Sequence, residues 1–484
     1  MSMRVTAAIG VAGLFVALHS SSALAAPENR TPVQGIGPCR TDPVPVHEDL
    51  IPETVQVPVL YPVITVLPPE PPEPEPVRTE MTLPGDPCDN PCPDLTDLPQ
   101  PPPNLAEQLG IPQLVLHPQA FHFAIPGHSP DPGAGPPPPA PVTPSTEAAA
   151  REPAPAAPNV LRVQEIAKQT GANSVNRTDK RWQVDGTDLG IMWESAPGEI
   201  AVAFGDTVGR GFQPPGGMGG DWRSNVLAFS TDTDLSDGMT YDRMVTDGRC
   251  HAAELLSSRK LDNVEMTTIP TSGFALDGRQ YMSYMSLRTW NSVPGTFYTN
   301  YGGIAYSDDG GQTWTKDRYA RWDNIFGLSS FQVSAMVPHG EHIYMFGTPS
   351  TRLGSVGLAR VAADQILNTT AYQYWRDGQW TPVGGAAGAT PVVDAPVGEL
   401  SVRYAADRGV WQMSYLDTTR AAIVVRESAT PQGAWSEPTP TVTVFDHPEL
   451  YGGFIHPWSG GNDLYFNIST WSDYNVYLVR AELG

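Results

Sequence analysis

Two aspartates, Asp188 and Asp206, have the residue type and the spacing that proton-transfer chemistry requires. Each adjoins an apolar run, the first in "GTDLGIMWE" and the second in "EIAVAFGDT". The Gly-containing turn between the runs predicts an antiparallel hairpin with strands over about 189–194 and 199–205. Because the ends of a hairpin meet, the two carboxylates are expected side by side. The alternative interpretation is that Asp206 is only a turn residue.

Further polar and aromatic residues fall at the same edge when the other hairpins are interpreted in the same way. Paired acids suit glycosidic cleavage, since one carboxyl protonates the leaving oxygen while the other activates water or attacks the anomeric carbon. Aromatic rings offer flat apolar surfaces to sugar faces. The candidate substrate-binding residues at this edge are Trp222, Arg223, Asn225, Glu265, Asp417 and Trp471.

The two aspartates are expected to divide the catalytic work. Repulsion between them, among apolar neighbours, raises the pKa of one carboxyl, and that one serves as the general acid. We expect Asp188 to be the base or nucleophile because it opens the innermost strand of the hairpin, which leaves Asp206 as the acid.

Other catalytic signatures are missing from the sequence, which contains no Gly-x-Ser-x-Gly, no His-Glu-x-x-His and no phosphate-binding loop. His447 and His456 lie nine residues apart and form only a weak metal-ligand pattern. His456, in "FIHPW", is expected to be an interior residue. The sequence therefore predicts neither a metal site nor a cofactor.

A hairpin pattern that occurs five times predicts the fold of residues 161–484. In each repeat a Gly-containing turn precedes an aromatic-rich strand, and apolar strands lie on both sides. Five blades of about four strands form an all-β, five-bladed β-propeller. The last blade lacks an outer strand, which we expect from the segment near Trp182. The motif "SDDGGQTW" (307–314) fits the Asp-box of sialidase-like propellers and is expected to be a structural hairpin. The five turns contain Gly198, Gly278, Gly340, Gly409 and Gly461.

The first third of the chain has a different composition. Residues 1–25 contain a single Arg, an apolar run and an Ala-Leu-Ala cleavage pattern, which predict a secretory signal peptide. Residues 26–160 hold most of the 51 prolines, so we expect a proline-rich, largely disordered stalk. Two apolar pieces of this stalk, 53–67 and 105–127, either dock on a surface or stay mobile.

The four cysteines are interpreted in the light of this predicted export. Cys39, Cys88 and Cys92 lie in the stalk, where disulfides are favoured over metal thiolates. A Cys88–Cys92 bridge and a bridge from either of them to Cys39 are open alternatives. Cys250 is isolated from the others, and we interpret it as a buried small hydrophobic residue.

The charge balance narrows the class of partner. The chain has 52 acidic and 29 basic side chains and a net charge of −23. Nucleic acids and anionic lipids require clustered Lys and Arg, so a neutral polysaccharide fits better. We expect a monomer without membrane insertion.

Several motifs resemble those of a known family. Over roughly 180–484 they are similar to the actinobacterial DUF4185 group, classed as glycoside hydrolase family 183, the endo-D-arabinanases. The resemblance implies a five-bladed propeller that cuts internal α-D-arabinofuranosyl linkages in arabinogalactan and lipoarabinomannan of mycolate-bearing bacteria. It also implies that Asp188 and Asp206 are catalytic. The motifs are "DGTDLGIMWE", "VAFGDTVG", "WRSNVLAFSTD", "EMTTIPTSGF", "YGGFIHPWS" and "STWSDYNVYLVR".

The leading functional hypothesis is an exported endo-acting glycoside hydrolase on cell-envelope D-arabinan, secreted or associated with the envelope. The alternative is a non-catalytic propeller that binds a wall glycan or a wall protein. A sialidase-like activity is less favoured, because the substrate carboxylate needs clustered arginines. This edge offers only Arg223, Arg288 and Arg352, which are scattered in the sequence.

Overall fold

The first strands of the fold precede the domain that contains the candidate site. Strands β1 (Glu53–Val66) and β2 (Leu114–Gly127) pair with each other and fall within the two apolar pieces of the predicted stalk. The predicted signal peptide, most of the stalk and three of the four cysteines lie outside the described residues. The computed structural model describes residues 53–66, 114–127 and 137–484, apart from 218–219, 249, 292–294 and 328.

Antiparallel sheets make up the rest of the described chain. Before the first of them come β3 (Glu147–Ala148), β4 (Val160–Lys168) and the short helix α1 (Thr178–Trp182). Sheet A contains β5 (Gly186–Ala196), β6 (Glu199–Val208), β7 (Trp222–Arg223), β8 (Val226–Ser230) and β9 (Arg243–Met244). A separate ladder contains β10 (Thr246–Gly248) and β11 (His251–Ala252). Sheet B contains β12 (Thr267–Leu276), β13 (Arg279–Trp290), β14 (Phe297–Ser307) and β15 (Thr315–Asp323).

Three more sheets follow in chain order. Sheet C contains β16 (Val333–His339), β17 (His342–Thr348), β18 (Gly354–Ala362), β19 (Gln373–Arg376), β20 (Gln379–Thr381) and β21 (Val393–Val397). Sheet D contains β22 (Leu400–Ala405), β23 (Val410–Asp417), β24 (Ala422–Ser428) and β25 (Thr439–Thr443). Sheet E contains β26 (Leu450–Ile455), β27 (Asp463–Thr470) and β28 (Asn475–Leu483). Short 3-10 turns lie at Ile325–Gly327, Ala363–Gln365, Thr369–Ala371 and Ala386–Gly388.

The strand order confirms an all-β, propeller-like arrangement. Sheets A, B, D and E each have a four-strand path. In sheet A, β7 pairs with β6 beside this path, and in sheet E, β4 is the fourth strand. Sheet C differs, because β19, β20, β21 and β3 extend it to seven strands. The prediction of five blades was therefore wrong in its count, since four sheets are regular blades. The first strands of the five sheets contact one another in the cyclic order β5, β12, β16, β22, β26.

The outer strand of sheet E does not come from the segment near Trp182. It is β4, which pairs with β28 so that Lys168 lies opposite Tyr477. Trp182 instead ends α1 and is buried. Asn173 and Arg177, which precede α1, have left-handed φ values of 62° and 46°, so this part of the chain cannot continue an extended strand.

The end of the proline-rich segment lies along sheets C and D. Asn368 Nδ2 donates to the carbonyl oxygen of Ala140 at 2.9 Å, and the amide of Ala434 donates to that of Glu152 at 2.9 Å. Thr439 Oγ1 donates to the carbonyl oxygen of Pro158 at 2.8 Å. Residues 140–158, which the sequence assigns to the largely disordered stalk, are thus held against the domain by hydrogen bonds to their backbone carbonyls.

The core lies between the facing sheets. Burying an aromatic or large aliphatic side chain stabilises a fold by roughly 1.5–3 kcal/mol, so this layer accounts for much of the rigidity of the strands that carry the site. No helix among the described residues is long and apolar enough to cross a bilayer. The largest fully buried side chains include Phe204, Phe229, Phe346, Trp411, Tyr415 and Phe466.

Candidate active site

The β5–β6 hairpin brings Asp188 and Asp206 to one edge of sheet A, as the sequence predicts. The ladder pairs Thr187 with Thr207 at this edge, so each aspartate is the neighbour of a paired residue. Gly205 lies under Asp188, because a Cβ atom at Gly205 would come within 2.3 Å of Asp188 Oδ1. The glycine that precedes Asp206 therefore makes room for the other carboxyl.

A β-bulge in β5 fixes the backbone next to Asp188. The ladder register shifts on both sides of Leu189, whose φ is +70°. This left-handed conformation costs a bulky residue on the order of 1–3 kcal/mol. The amide of Leu189 donates to Ser469 Oγ of β27 at 2.8 Å, which helps to hold it. Bulges beside active sites commonly re-aim a side chain, and here the bulge aims Asp188.

Asp206 is only 8% exposed and accepts two hydrogen bonds on one oxygen. Trp222 Nε1 donates to Asp206 Oδ1 at 3.0 Å, and Thr267 Oγ1 donates to the same atom at 2.5 Å. Burial raises the pKa of Asp206 to about 6, although these two hydrogen bonds lower it. Asp206 is therefore ionised at neutral pH and protonated in mild acid.

Asp188 lies against the hydroxyl groups of two tyrosines, Tyr451 and Tyr474, and their hydrogen bonds lower its pKa. The Tyr451 hydroxyl donates to Asp188 Oδ2 at 2.9 Å, whereas Asp188 Oδ1 is buried without a hydrogen-bond partner among the described residues. Burial first, and the charge of Asp206 second, raise the pKa of Asp188 to about 8. Asp188 therefore holds the proton of the pair at neutral pH. This order favours Asp188 as the acid and Asp206 as the base, the opposite of the roles expected from strand position.

Three of the predicted binding residues lie at or near the pair. Trp222 contacts Asp206 directly. Glu265 lies two residues before Thr267, and its Oε1 accepts a hydrogen bond from Ser286 Oγ at 2.8 Å. Trp471 is 45% exposed, and its ring packs edge to face on Tyr474 with centroids 5.7 Å apart. Trp471 thus presents an open aromatic surface.

Asn225 and Arg223, two further predicted binding residues, make contacts with the backbone of neighbouring loops. Asn225 is fully buried, and its Nδ2 donates at 2.8 Å to the carbonyl oxygens of Leu256 and Thr268. Its Oδ1 accepts from the Leu256 amide at 2.8 Å. Arg223 is 4% exposed and donates to the carbonyl oxygen of Ala252 at 2.8 Å. Both side chains tie loops together through hydrogen bonds to backbone groups, although Arg223 Nε has no hydrogen-bond partner among the described residues.

Asp417, predicted as a substrate-binding residue, is hydrogen-bonded by its own turn. Its Oδ1 accepts from the amide of Thr419 at 2.9 Å and from that of Arg420 at 3.1 Å. The Arg420 guanidinium donates to Oδ2 at 2.8 Å. Burial raises the pKa of Asp417, but the hydrogen bonds from Thr419 and Arg420 outweigh it and hold the pKa below its usual value.

The sequence-based prediction did not identify four residues of the site, which are Tyr451, Thr267, Arg352 and Glu399. Tyr451 and Thr267 stand in the motifs "YGGFIHPWS" and "EMTTIPTSGF", so a motif signal was present. Arg352 Nε donates to Glu399 Oε1 at 2.7 Å. These two residues lie in loops without any recognisable pattern.

A cavity opens beside Asp188 and reaches the inner strands of several sheets. Its polar lining consists of Asp188, Thr271, Arg352, Glu399 and Tyr451. Its apolar lining includes Leu189, Ile269, Met285, Trp290, Phe297 and Phe454. The lining thus combines a few polar groups with several aromatic and aliphatic side chains.

The Asp-box lies in the hairpin that joins β14 to β15, apart from the residues that line this cavity. Asp309 Oδ1 accepts from the amide of Thr313 at 2.9 Å, and Oδ2 accepts from the Thr313 hydroxyl at 2.6 Å. These bonds lower the pKa of Asp309 to about 2. The motif is a structural hairpin, as predicted.

The sequence predicts His456 as an interior residue and Cys250 as a buried small hydrophobic residue, and the first of these predictions is confirmed. His456 is fully buried, and burial lowers its pKa to about 3, so it is an interior residue as expected. Cys250 is disulfide-bonded, which corrects its interpretation as a small hydrophobic residue. It lies in a turn with φ +60° and is partly exposed. Across the described part of the chain, no three His, Cys, Asp or Glu side chains are grouped to hold a metal ion.

Two fungal relatives align with this domain. Notoamide biosynthesis cluster protein J of Aspergillus sp. (strain MF297-2) is 35% identical over 312 residues, which cover 60% of this chain and 81% of that protein. Notoamide biosynthesis cluster protein J' of Aspergillus versicolor is 33% identical over 311 residues, which cover 60% and 83%.

Similar solved structures are more distant. A family 117 glycoside hydrolase of Zobellia galactanivorans has 11% identity and a TM-score of 0.42, with 67% of this chain and 92% of that chain covered. The catalytic domain of the Coprinopsis cinerea GH62 alpha-L-arabinofuranosidase has 10% identity and a TM-score of 0.39, with 67% and 98% covered. At these scores the similarity decides neither fold nor chemistry.

A family model matches most of the domain that contains the site. The model is described as Domain of unknown function (DUF4185), and it covers residues 173–480, which include both aspartates and most of sheets A to E. The chain therefore belongs to the DUF4185 family.

Proposed function

We propose that this protein is an exported endo-acting glycoside hydrolase that cleaves α-D-arabinofuranosyl linkages in cell-envelope D-arabinan. Export rests on the signal-like residues 1–25 of the sequence. The choice of D-arabinan rests on the resemblance of the sequence motifs to the endo-D-arabinanases. The two fungal relatives are named for notoamide clusters and lend this choice no support.

The observation that carries the proposal is the carboxyl pair, in which Asp206 is buried and Asp188 is partly buried. Asp188 and Asp206 share one hairpin, and burial raises the pKa of both, to about 8 and about 6. A protonated acid beside an ionised one is the arrangement that glycosidic cleavage uses. Turn-capping aspartates lack this property, because hydrogen bonds from the turn lower their pKa.

The environments of the two acids assign their roles. Asp188 donates its proton to the leaving glycosidic oxygen, since its buried Oδ1 has no hydrogen-bond partner in the described part of the protein. Asp206 then activates water or attacks the anomeric carbon through Oδ2, since Trp222 and Thr267 both hold Oδ1. Trp222 and Thr267 keep this carboxylate in place and lower its basicity only in part.

The surroundings of the pair favour a neutral glycan over an acidic one. The chain carries a net charge of −23, and the Arg352 guanidinium in the cavity is already paired with Glu399. A sugar carboxylate would find no uncompensated cation among the described residues that line the cavity, which argues against a sialidase-like reaction. Trp290 and Trp471 are 46% and 45% exposed and offer surfaces on which sugar rings can stack.

The test is incubation of the purified protein with arabinogalactan and lipoarabinomannan, followed by chromatography of the products. We expect short arabino-oligosaccharides from the wild type and none from Asp206→Asn. Tight binding of arabinan without products would favour a non-catalytic binding module instead. Products from another glycan only would retain the glycosidase and overturn the substrate.

A further inference from the structure

Two buried carboxylate oxygens in the cavity have no hydrogen-bond partner among the described residues. One is Asp188 Oδ1, which the proposed reaction uses. The other is Glu399 Oε2, which belongs to a side chain only 13% exposed. An acceptor left unpaired in a buried site costs of the order of 1–3 kcal/mol or more, so such groups call for an explanation.

Arg352 holds Glu399 in place. Arg352 Nε donates to Glu399 Oε1 at 2.7 Å, which leaves Oε2 as the free acceptor. The guanidinium carbon also lies 4.8 Å from the centre of the Tyr451 ring. Tyr451 in turn donates to Asp188, so the free oxygen of Glu399 is connected through Arg352 and Tyr451 to the proposed acid.

We propose that Glu399 and Arg352 bind hydroxyl groups of the sugar ring that lies beside Asp188, and thereby set substrate specificity. This inference rests on the proposed function. Glu399 Oε2 accepts a hydrogen bond from one hydroxyl group, and Arg352 donates from its terminal nitrogens to the oxygen of a hydroxyl group on the same ring. Ile269, Met285 and Phe297 provide the apolar wall for the face of that ring.

The chemistry of the cavity fits a sugar hydroxyl better than an ion. A hydroxyl group both donates and accepts, so it can satisfy a carboxylate and a guanidinium together. The positive charge of Arg352 would repel a metal cation, and the negative charges of Glu399 and Asp206 would repel an anion. A polyhydroxylated, uncharged ring avoids both conflicts.

The consequence is discrimination between sugars that differ in one hydroxyl group. A site built to hydrogen-bond a hydroxyl strongly rejects the analogue that lacks it, because its own buried acceptor is then left unpaired. Glu399→Gln tests this directly. The amide oxygen of the new side chain must face Arg352, so its amide nitrogen replaces the acceptor at the free position.

The experiment measures oligosaccharide binding in the Asp206→Asn background by calorimetry, and kcat and KM in the otherwise native protein. The probes are an arabino-oligosaccharide and its monodeoxy analogues. We expect Glu399→Gln to weaken binding about tenfold to a hundredfold, since hydrogen bonds to charged groups are worth about 1.5–3 kcal/mol. In the protein with Glu399, one deoxy analogue should bind more weakly than the parent oligosaccharide by the same factor. In the E399Q variant, that analogue and the parent oligosaccharide should bind equally well. Glu437→Gln, at an exposed position, is the matched control.

The possible results separate this inference from the proposed function. Binding and kcat/KM of E399Q within twofold of the parent would overturn the hydroxyl-binding role, while loss of activity in Asp206→Asn would leave the proposed function standing. If the wild type neither binds nor cleaves arabinan, both fall. Thermal unfolding checks that each variant folds, and if E399Q does not fold, Arg352→Lys, which keeps the charge, serves as the test with the same expected loss of binding.

Discussion

Asp206 and Asp417 occupy equivalent positions, since each lies at or near the end of the second strand of its sheet, β6 in sheet A and β23 in sheet D. Both are buried, yet their pKa values shift in opposite directions. Turn amides and an arginine bind Asp417, whereas two side chains bind one oxygen of Asp206 and a second carboxyl lies beside it. An aspartate is thus available for chemistry when the backbone of the following turn does not use it.

The largest expected effect is on catalysis. Asp188→Asn and Asp206→Asn should each lower kcat on arabinan by about 10²–10⁴-fold, because proton transfer is lost while the shape is kept. Asp417→Asn should leave kcat within about twofold. Steady-state rates with purified variants check this, and near-normal turnover of both site variants would make Asp206 a turn residue like Asp417.

The next effect separates the two site acids from each other. An aryl arabinoside with a good leaving group needs no protonation, so it should restore most of the activity of Asp188→Asn. Asp206→Asn should stay inactive on the same substrate. The rates of aryl-group release measure the difference. Rescue of Asp206→Asn alone would return the acid role to Asp206, as strand position suggests.

The pH dependence of kcat/KM is expected to be bell-shaped. Activity should rise as Asp206 ionises near pH 6 and fall as Asp188 ionises near pH 8, with both limbs belonging to the coupled pair. The hydroxyls of Tyr451 and Thr267 lower these pKa values. Tyr451→Phe should therefore move the alkaline limb, and Thr267→Val the acid limb, to higher pH by about one unit. Asp417→Asn should move neither limb.

The smallest effects concern stability, and they have opposite signs. Because the pKa of Asp188 is raised in the folded protein, this side chain contributes to the free energy of unfolding in acid, and the contribution is lost as pH rises towards about 8. Asp188→Asn should thus gain unfolding free energy relative to the wild type as pH rises from 4 to 9. Because the pKa of Asp417 is lowered in the folded protein, its carboxylate stabilises the fold at pH values above its unfolded-state pKa. Asp417→Asn should therefore be destabilised at pH 7 and less so near pH 3. Urea unfolding across this range checks both, and parallel curves would contradict the assignment.

The sequence predicted the features that depend on local pairing. Asp188 and Asp206 meet because one short turn joins their strands, and apolar runs specify those strands. The hairpin turns and the Asp-box were predicted for the same reason. The extension of sheet C was not, because residues from β3 and β21 join it from distant positions in the chain.

The contacts of individual side chains were harder to predict. Trp222 and Asn225 are three residues apart in one loop, yet Trp222 binds Asp206 while Asn225 binds only backbone groups among the described residues. Tyr451 reaches Asp188 across 263 positions of sequence. Whether a polar side chain faces the cavity or the backbone is decided by tertiary packing, which the spacing of residues does not encode.

The most direct test of the central claim is the protonation state of the carboxyl pair without substrate. Infrared spectra of protein labelled with 13C-aspartate resolve the carbonyl stretch of a protonated carboxyl as pH rises from 5 to 9. A protonated aspartate should be present at pH 7 in the wild type and in Asp417→Asn, and absent in Asp188→Asn. If every aspartate of the wild type is ionised by pH 5, the pair has no acid to donate and the proposed mechanism is contradicted.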